Sequence, residues 1–338
     1  MKKTVFVALA LLAPVLLFAW RRSVNSMRHE LSFFAMDTPV TLTAYGPAAP
    51  RALRNAETAV RALERELSVT LPQSAVARLN AGESLPVSSA AGRAVSTALK
   101  LHDETDGTFD PTLYPVLREW GFTTGKYRVP PREELAEQLK LCGVQHVFCA
   151  HETLRLDASA MIDLGGIGKG MASDAAAQAL KDAGIASAVL NLGGNVRTLG
   201  KRPDGCAWRI GVRAPEGGLL GVIETGEGAV VTSGSYERFF EKDGVRYWHI
   251  LDPKTGEPAR SGAVSVTVVG SSGTRCDALS TAYFVMGAEQ AAAFWKARGT
   301  ESFVMLTDGG ELLVCEDLAG RFTIDDEWKH AKVKVLRR

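Results

Sequence analysis

The stretch Asp163-Leu164-Gly165-Gly166-Ile167-Gly168-Lys169-Gly170 constrains this chain more than any other. Four glycines in six positions leave main-chain amides unshielded by side chains, so a bulky anion can lie directly against them. Met171 to Asp182 reads as a helix stopped near Gly184, so the loop feeds a helix N-terminus, where free amides and the macrodipole favour phosphate. Lys169 adds a point positive charge and Asp163 a carboxylate, which together suit a phosphate and a cation. A tight, glycine-lined turn accounts for the octet equally well. Two familiar glycine motifs are excluded. A P-loop needs Ser or Thr directly after Gly-Lys, and Gly170 stands there. A dinucleotide fingerprint needs a different glycine spacing in an early strand–turn–helix unit.

The chain around this loop has 338 residues, 46% hydrophobic and 23% charged, enough for one large domain or two closely joined lobes. A net charge of +1 and the absence of any long Lys/Arg run exclude a nucleic-acid partner. Cys142, Cys149, Cys206, Cys276 and Cys315 are odd in number and include no C-x-x-C, which argues against a disulfide framework or a zinc knuckle. No H-x-x-x-H pair occurs either, so any metal should be a hard one held by oxygen. Lys2 and Lys3 precede Thr4 to Trp20, an apolar run of signal-peptide shape at the short end of what spans a bilayer. Val24-Asn25-Ser26 is a poor cleavage site and no cysteine lies nearby to take a lipid. Residues 1–30 are therefore expected to anchor an exported body at residues 31–335, with cleavage to a soluble exported form as the alternative.

Leu31 to Tyr45 reads as strand, turn at Asp37, and alternating strand. Arg51 to Leu67 is an amphipathic helix with Leu53, Ala56, Val60, Leu63 and Leu67 on one face. Helices are expected at Ser74 to Asn80, with Ser74 as cap, at Ser88 to Thr105, and at Arg132 to Leu141. In Gly107-Thr108-Phe109-Asp110-Pro111-Thr112, Gly107 suits a helix end and Asp110 an N-cap for the next helix. Val147 to Leu156 is a hairpin. Ala186 to Val196 is a buried strand broken at Gly193-Gly194, and further strands fall at Trp208 to Val212, Ala229 to Thr232 and Ala263 to Val269. Asp243-Gly244 closes a hairpin whose second strand, Val245 to Leu251, delivers His249. Helices at Arg275 to Met286 and Glu289 to Ala297 precede a hairpin at Phe303 to Val314. Hairpins alternating with helices predict an α+β fold, not a doubly wound parallel sheet.

Asp277 and Thr281 sit four apart on the helix beginning at Arg275, so their oxygens project from one face with Ser280 beside them. A carboxylate and a hydroxyl at this spacing can share a hard cation. Taken alone, the pair is explained more simply by a first-turn helix charge and a threonine bonded to its own backbone.

Taken in order, these stretches resemble the ApbE family of FAD:protein FMN transferases. The matching segments are Met36-Asp37-Thr38, Leu67-Ser68-Val69, Ser74 to Asn80, Gly107 to Thr112, Trp120-Gly121-Phe122, Asp163 to Gly170 with Asp174, and Asn191 to Asn195. Thr232 to Tyr236, His249 to Gly256 and Asp277 to Thr281 complete the series. The resemblance implies two closely associated lobes of mixed or antiparallel sheet flanked by helices. It implies an enzyme at the periplasmic face of the cytoplasmic membrane that takes FAD and Mg2+, joins FMN to a threonine or serine of another protein, and releases AMP. Subunits of membrane redox complexes are the implied acceptors. Hydrolysis of FAD to FMN and AMP, or simple FAD binding, are the competing functions.

Carried over by position, Asp277, Thr281 and the Gly166 carbonyl match the family's magnesium ligands, with Ser280 a further candidate. Met36, Thr108, Phe109, Asp110, Asp163, Lys169 and Leu251 match residues that contact FAD. Thr70 stands where many members put an aromatic or amide residue against the flavin. His249 matches the histidine beside the reacting phosphate and is assigned, with Asp277, to catalysis, because imidazole titrates near neutral pH. Otherwise His249 serves only to fix the Asp252 turn. The family usually has glycine where Asp37 stands.

Overall fold

The computed structural model describes residues 26–157, 159–299 and 301–338, so the expected N-terminal anchor falls almost wholly outside the described residues. Among the described residues the first strand is Arg28–Ala35 and the last Lys332–Leu336. Its centre is a nine-stranded sheet in the order Arg28–Ala35, Thr38–Tyr45, Ala188–Leu192, Asn195–Leu199, Gly228–Gly234, Ala263–Gly270, Ser302–Thr307, Glu311–Cys315 and Lys332–Leu336. Every neighbouring pair is antiparallel except the last, which is parallel. The fold is mixed α+β, as the alternation of hairpins and helices predicts.

Side-chain alternation along the central strands assigns the two faces of the sheet. Val231, Val266, Val268, Phe303 and Met305 pack with the long helix Gly273–Arg298. Their alternates Val230, Val269, Val304 and Leu306 pack with Trp208, Ile210, Ile223 and Phe322 of a separate three-stranded sheet. At the other end of the large sheet, Val40, Leu42 and Leu190 meet the helices Ala49–Leu67 and Gly165–Asp182. Apolar residues every three or four positions make this possible: Ala52, Leu53, Ala56 and Val60 are all buried. No helix among the described residues is long and apolar enough to cross a membrane.

Several expectations need correction. The glycine octet is not a loop: the helix begins at Gly165, six residues before the expected Met171. Asp110 does not cap a helix. Its Oδ1 accepts bonds from the Thr112 backbone (2.8 Å) and hydroxyl (2.6 Å), and the next helix starts only at Tyr114 without a side-chain cap. The helix Arg132–Leu139 ends two residues early, and the strand before His249 ends at Trp248. The two helices expected after Arg275 do form, separated by a kink at Gly287, whose φ of 73° a side chain would resist. Strands at Leu219–Thr225, Phe322–Ile324 and Lys332–Leu336 were not anticipated.

Candidate active site

Two helices cross backbone to backbone where Gly170 meets Gly273. A methyl group built on Gly170 would lie 2.6 Å from the Gly273 carbonyl carbon and 2.7 Å from Thr274 Cα. Only glycine allows this approach, and polar bonds lock it from both sides. Asp174, one turn beyond Gly170, accepts from Gly273 N (2.8 Å), Thr274 N (3.0 Å), Thr274 Oγ1 (2.9 Å) and Ser272 Oγ (3.1 Å). It thereby caps the second helix with a carboxylate from the first, where the macrodipole favours negative charge. Arg197, itself buried, donates to the same carboxylate at 3.0 Å. In the other direction Asp277 Oδ2 accepts from Gly170 N at 2.8 Å.

Asp277 is only 4% exposed, and burial pushes its carboxyl above the ordinary aspartate range. The opposing pull comes first from Lys169, whose Nζ lies 4.0 Å from Oδ1, then from the Gly170 amide. Asn195 also favours the ionised form, yet neither atom of its buried amide has a hydrogen-bond partner among the described residues. Oδ1 is therefore a buried, loosely compensated acceptor. One turn on, Thr281 Oγ1 lies 3.4 Å from Ser233 Oγ. Ser280 donates to the Asp277 carbonyl (2.8 Å) and contacts Ser233 Oγ at 2.7 Å, so its proton is committed to the helix itself. No three His, Cys, Asp or Glu side chains converge among the described residues, so a cation here must take hydroxyl and carbonyl oxygens.

The N-terminus of the glycine helix is faced by two further segments. Asp163 Oδ1 accepts from Gly165 N at 2.5 Å; burial raises its pKa, against that amide and the charges of Arg238 and Lys169. His249 donates from its backbone N to the Arg238 carbonyl (3.2 Å) and sets Nδ1 3.1 Å from the same oxygen. A carbonyl only accepts, so the ring proton sits on Nδ1 and Nε2 is the basic nitrogen. Burial, then Arg238, then Lys169, pull the imidazole down to about 3. The Arg238 guanidinium reaches across to Asp37 Oδ2 at 2.9 Å. Asp37 and Met36 form a two-residue hairpin turn with left-handed φ values of 57° and 55°.

Comparison with known proteins decides the family. The model of the ApbE family matches residues 36–304. This chain belongs to the ApbE family. It is 34% identical over 255 residues to a FAD:protein FMN transferase of Vibrio cholerae, covering 72% of this chain and 76% of the relative. It is 35% identical over 264 residues to one of Treponema pallidum, covering 72% and 73%. Among solved structures, the ApbE protein of Thermotoga maritima superposes with a TM-score of 0.80 at 32% identity, over 91% of this chain and 100% of that one. The flavin transferase ApbE of Vibrio cholerae gives 0.75 at 28% identity, over 90% and 99%.

Within this ApbE fold, Lys169 and Asp277 meet at the helix crossing, Ser280 and Thr281 follow one turn on beside Ser233, Asp163 and Gly166 lie at the start of the glycine helix, and His249 is held on the Arg238 carbonyl. Phe109 and Met36 join them: a methyl on Gly166 would meet the Phe109 ring at 2.8 Å, and one on Gly168 would meet the Met36 methyl at 3.4 Å. Thr108 and Asp110 sit on the same turn as Phe109, Thr108 bonded to the Thr105 carbonyl at 2.8 Å. Leu251 is buried with Trp120 and Phe122. Thr70 is exposed, in a turn where its hydroxyl meets Ser68 Oγ at 3.1 Å and its backbone N donates to the same oxygen. Sequence reasoning missed Arg238 altogether, and it gave Asn195 and Asp174 no role although both lie in motifs it quoted.

Proposed function

We propose that this chain is a magnesium-dependent FAD:protein FMN transferase, moving FMN from FAD to a threonine or serine hydroxyl of an exported protein and releasing AMP. The transferase class rests on family membership and on relatives named for that activity. The observation that carries the finer reading is the buried Asp277 carboxylate, loosely matched by Lys169, beside an N-terminus built of glycine. Such a carboxylate, with the Thr281 hydroxyl and the Gly166 carbonyl, is an all-oxygen donor set that fits a hard divalent cation. Magnesium bound there would neutralise charge on the FAD diphosphate.

The chain's own groups supply the rest. In the first turn of the glycine helix Gly165 N is taken by Asp163 and Ile167 N by the Leu164 carbonyl (3.1 Å), so the Gly166 and Gly168 amides, with Lys169, bind diphosphate oxygens. Half-buried Met36 offers apolar surface to the flavin nucleotide, and Phe109 and Leu251 back the site from the core. The acceptor oxygen forms a bond to the phosphorus on the riboflavin side, the bond from that phosphorus to the bridging oxygen breaks, and AMP leaves with the electron pair. The hydroxyl proton passes to His249 Nε2. Two of the three influences that depress this imidazole are positive charges, so an anionic substrate raises its basicity at the moment it is needed. Alignment and charge neutralisation, not covalent catalysis, then set the rate. The apolar run Thr4 to Trp20 supports a location at the periplasmic face of the cytoplasmic membrane, with acceptors among subunits of membrane redox complexes.

The test mixes the purified chain with FAD, magnesium and a flavin-acceptor domain, and follows AMP together with in-gel flavin fluorescence. A labelled acceptor supports transfer. AMP without label would make the chain a FAD hydrolase, and neither product would make it a FAD-binding protein. Asp277→Ala should abolish metal-dependent AMP release, and retained release would remove the metal assignment.

A further inference from the structure

One ion pair joins two segments 201 residues apart: Arg238 Nη2 to Asp37 Oδ2, at 2.9 Å. Its side chains are 43% and 78% exposed, so it contributes little to stability. Its position is more informative than its strength. The Arg238 carbonyl is held by both the backbone and the ring of His249, which fixes the main chain and leaves the guanidinium to move. Met36, beside Asp37, is fixed in turn by its N–H bond to Glu64 Oε1 (2.6 Å) and faces Gly168 of the glycine helix. The guanidinium is therefore held at a turn that itself packs on the glycine helix, and its charge acts on both Asp163 and His249. Lys169, the other cation here, stands beside Asp277.

We propose that Arg238 is a phosphate-binding residue of this site, and that Asp37 is an internal competitor holding it until a diphosphate enters. An Arg guanidinium donates to carboxylate and phosphate oxygens alike, so Asp37, taking one such bond, stands in for the phosphate in the ligand-free protein. Exchange needs only side-chain rotation, because His249 keeps the backbone in place. The residue that grips the phosphate and the imidazole that takes the proton then form one unit. This inference rests on the FAD reading above.

The experiment measures FAD affinity by flavin fluorescence, and ADP affinity as a flavin-free probe, for wild type, Asp37→Asn, Arg238→Met and the double variant. Asn tolerates the left-handed backbone at position 37, and a thermal melt checks folding of each variant. Arg238→Met should weaken both ligands at least about tenfold, as loss of a charge-assisted contact does. Asp37→Asn should tighten both by about two- to fivefold, the strength of an exposed pair. In the Arg238→Met background Asp37→Asn should have no effect. Equal tightening in both backgrounds would mean that Asp37 acts by general repulsion, and the competitor role would fall. Unchanged or weaker binding by Asp37→Asn would make the pair a structural clasp. A wild type that binds FAD while the variants match it sinks this inference alone; a wild type that binds no FAD sinks the functional reading and this inference with it.

Discussion

Gly168 and Gly170 are two residues apart on one helix, and alanine at these positions should have opposite effects on stability. A methyl on Gly170 falls 2.6–2.7 Å from the Gly273 and Thr274 backbone, where ordinary contact begins near 3.4 Å. Neither neighbour is a flexible side-chain end, so the helices must part by about 1 Å. That movement breaks the 2.8 Å bond from Gly170 N to Asp277 Oδ2. Overpacking costs about 1–3 kcal/mol, and the lost bond to a buried carboxylate about 1.5–3 kcal/mol. Higher helix propensity of alanine returns about 1 kcal/mol. The net is a loss of about 2–5 kcal/mol, or about 3–8 °C in Tm for a chain of this size.

A methyl on Gly168, by contrast, meets only the terminal methyl of Met36 at 3.4 Å, an ordinary contact. Gly168→Ala should therefore match or exceed wild type in stability by up to about 1 kcal/mol. Its cost should appear in FAD affinity instead, because the methyl narrows the approach to the helix N-terminus. Thermal and urea denaturation of the two variants beside wild type, followed by circular dichroism, reads the first contrast; FAD titration reads the second. A Gly170→Ala protein as stable as wild type, or a Gly168→Ala protein that loses as much, would refute the argument from backbone contact.

Asp174→Ala should destabilise the protein by about 3–5 kcal/mol, since it uncaps the long helix and leaves buried Arg197 without its carboxylate; chemical denaturation measures this. Asp174→Asn should lose less, because an amide oxygen still accepts the capping bonds. His249 should leave a trace in the dependence of stability on pH. Its folded pKa is depressed to about 3 from 6.5, so as pH falls through that window the unfolded chain takes up a proton and the folded one does not. The contribution to stability is complete above 6.5 and is lost progressively toward 3. His249→Gln should flatten that part of the curve in denaturation midpoints collected between those limits, and an unchanged slope would contradict the depressed value.

Local rules were legible where local forces decide. Ser74 accepts the capping bond at 3.0 Å that its position suggests, and the turns at Asp37 and Asp243-Gly244 form where hairpin chemistry predicts. Lys332–Leu336 was missed because KVKVL is mostly exposed at a sheet edge, and its parallel pairing with Glu311–Cys315 has no local signature. At the site, helical spacing was enough to align Asp277 with Thr281. It could not reveal that Asp277 meets Gly170 across 107 residues, or that Arg238 meets Asp37 across 201.

The glycine octet shows most clearly why sequence stopped short. Low helix propensity argued for a loop, yet the residues are helical because packing overrides propensity. An anion cradle and a tight turn were the two readings of the octet, and close helix packing, which neither includes, is a further demand that falls on one member. Gly170 lacks a side chain because another backbone lies against it. Gly166 and Gly168 face Phe109 and Met36, side chains that are themselves candidates for holding the nucleotide. A spacing pattern cannot separate these demands, since both require glycine. The direction each Cα faces does separate them, and that direction is fixed by a helix crossing assembled from residues a hundred positions apart.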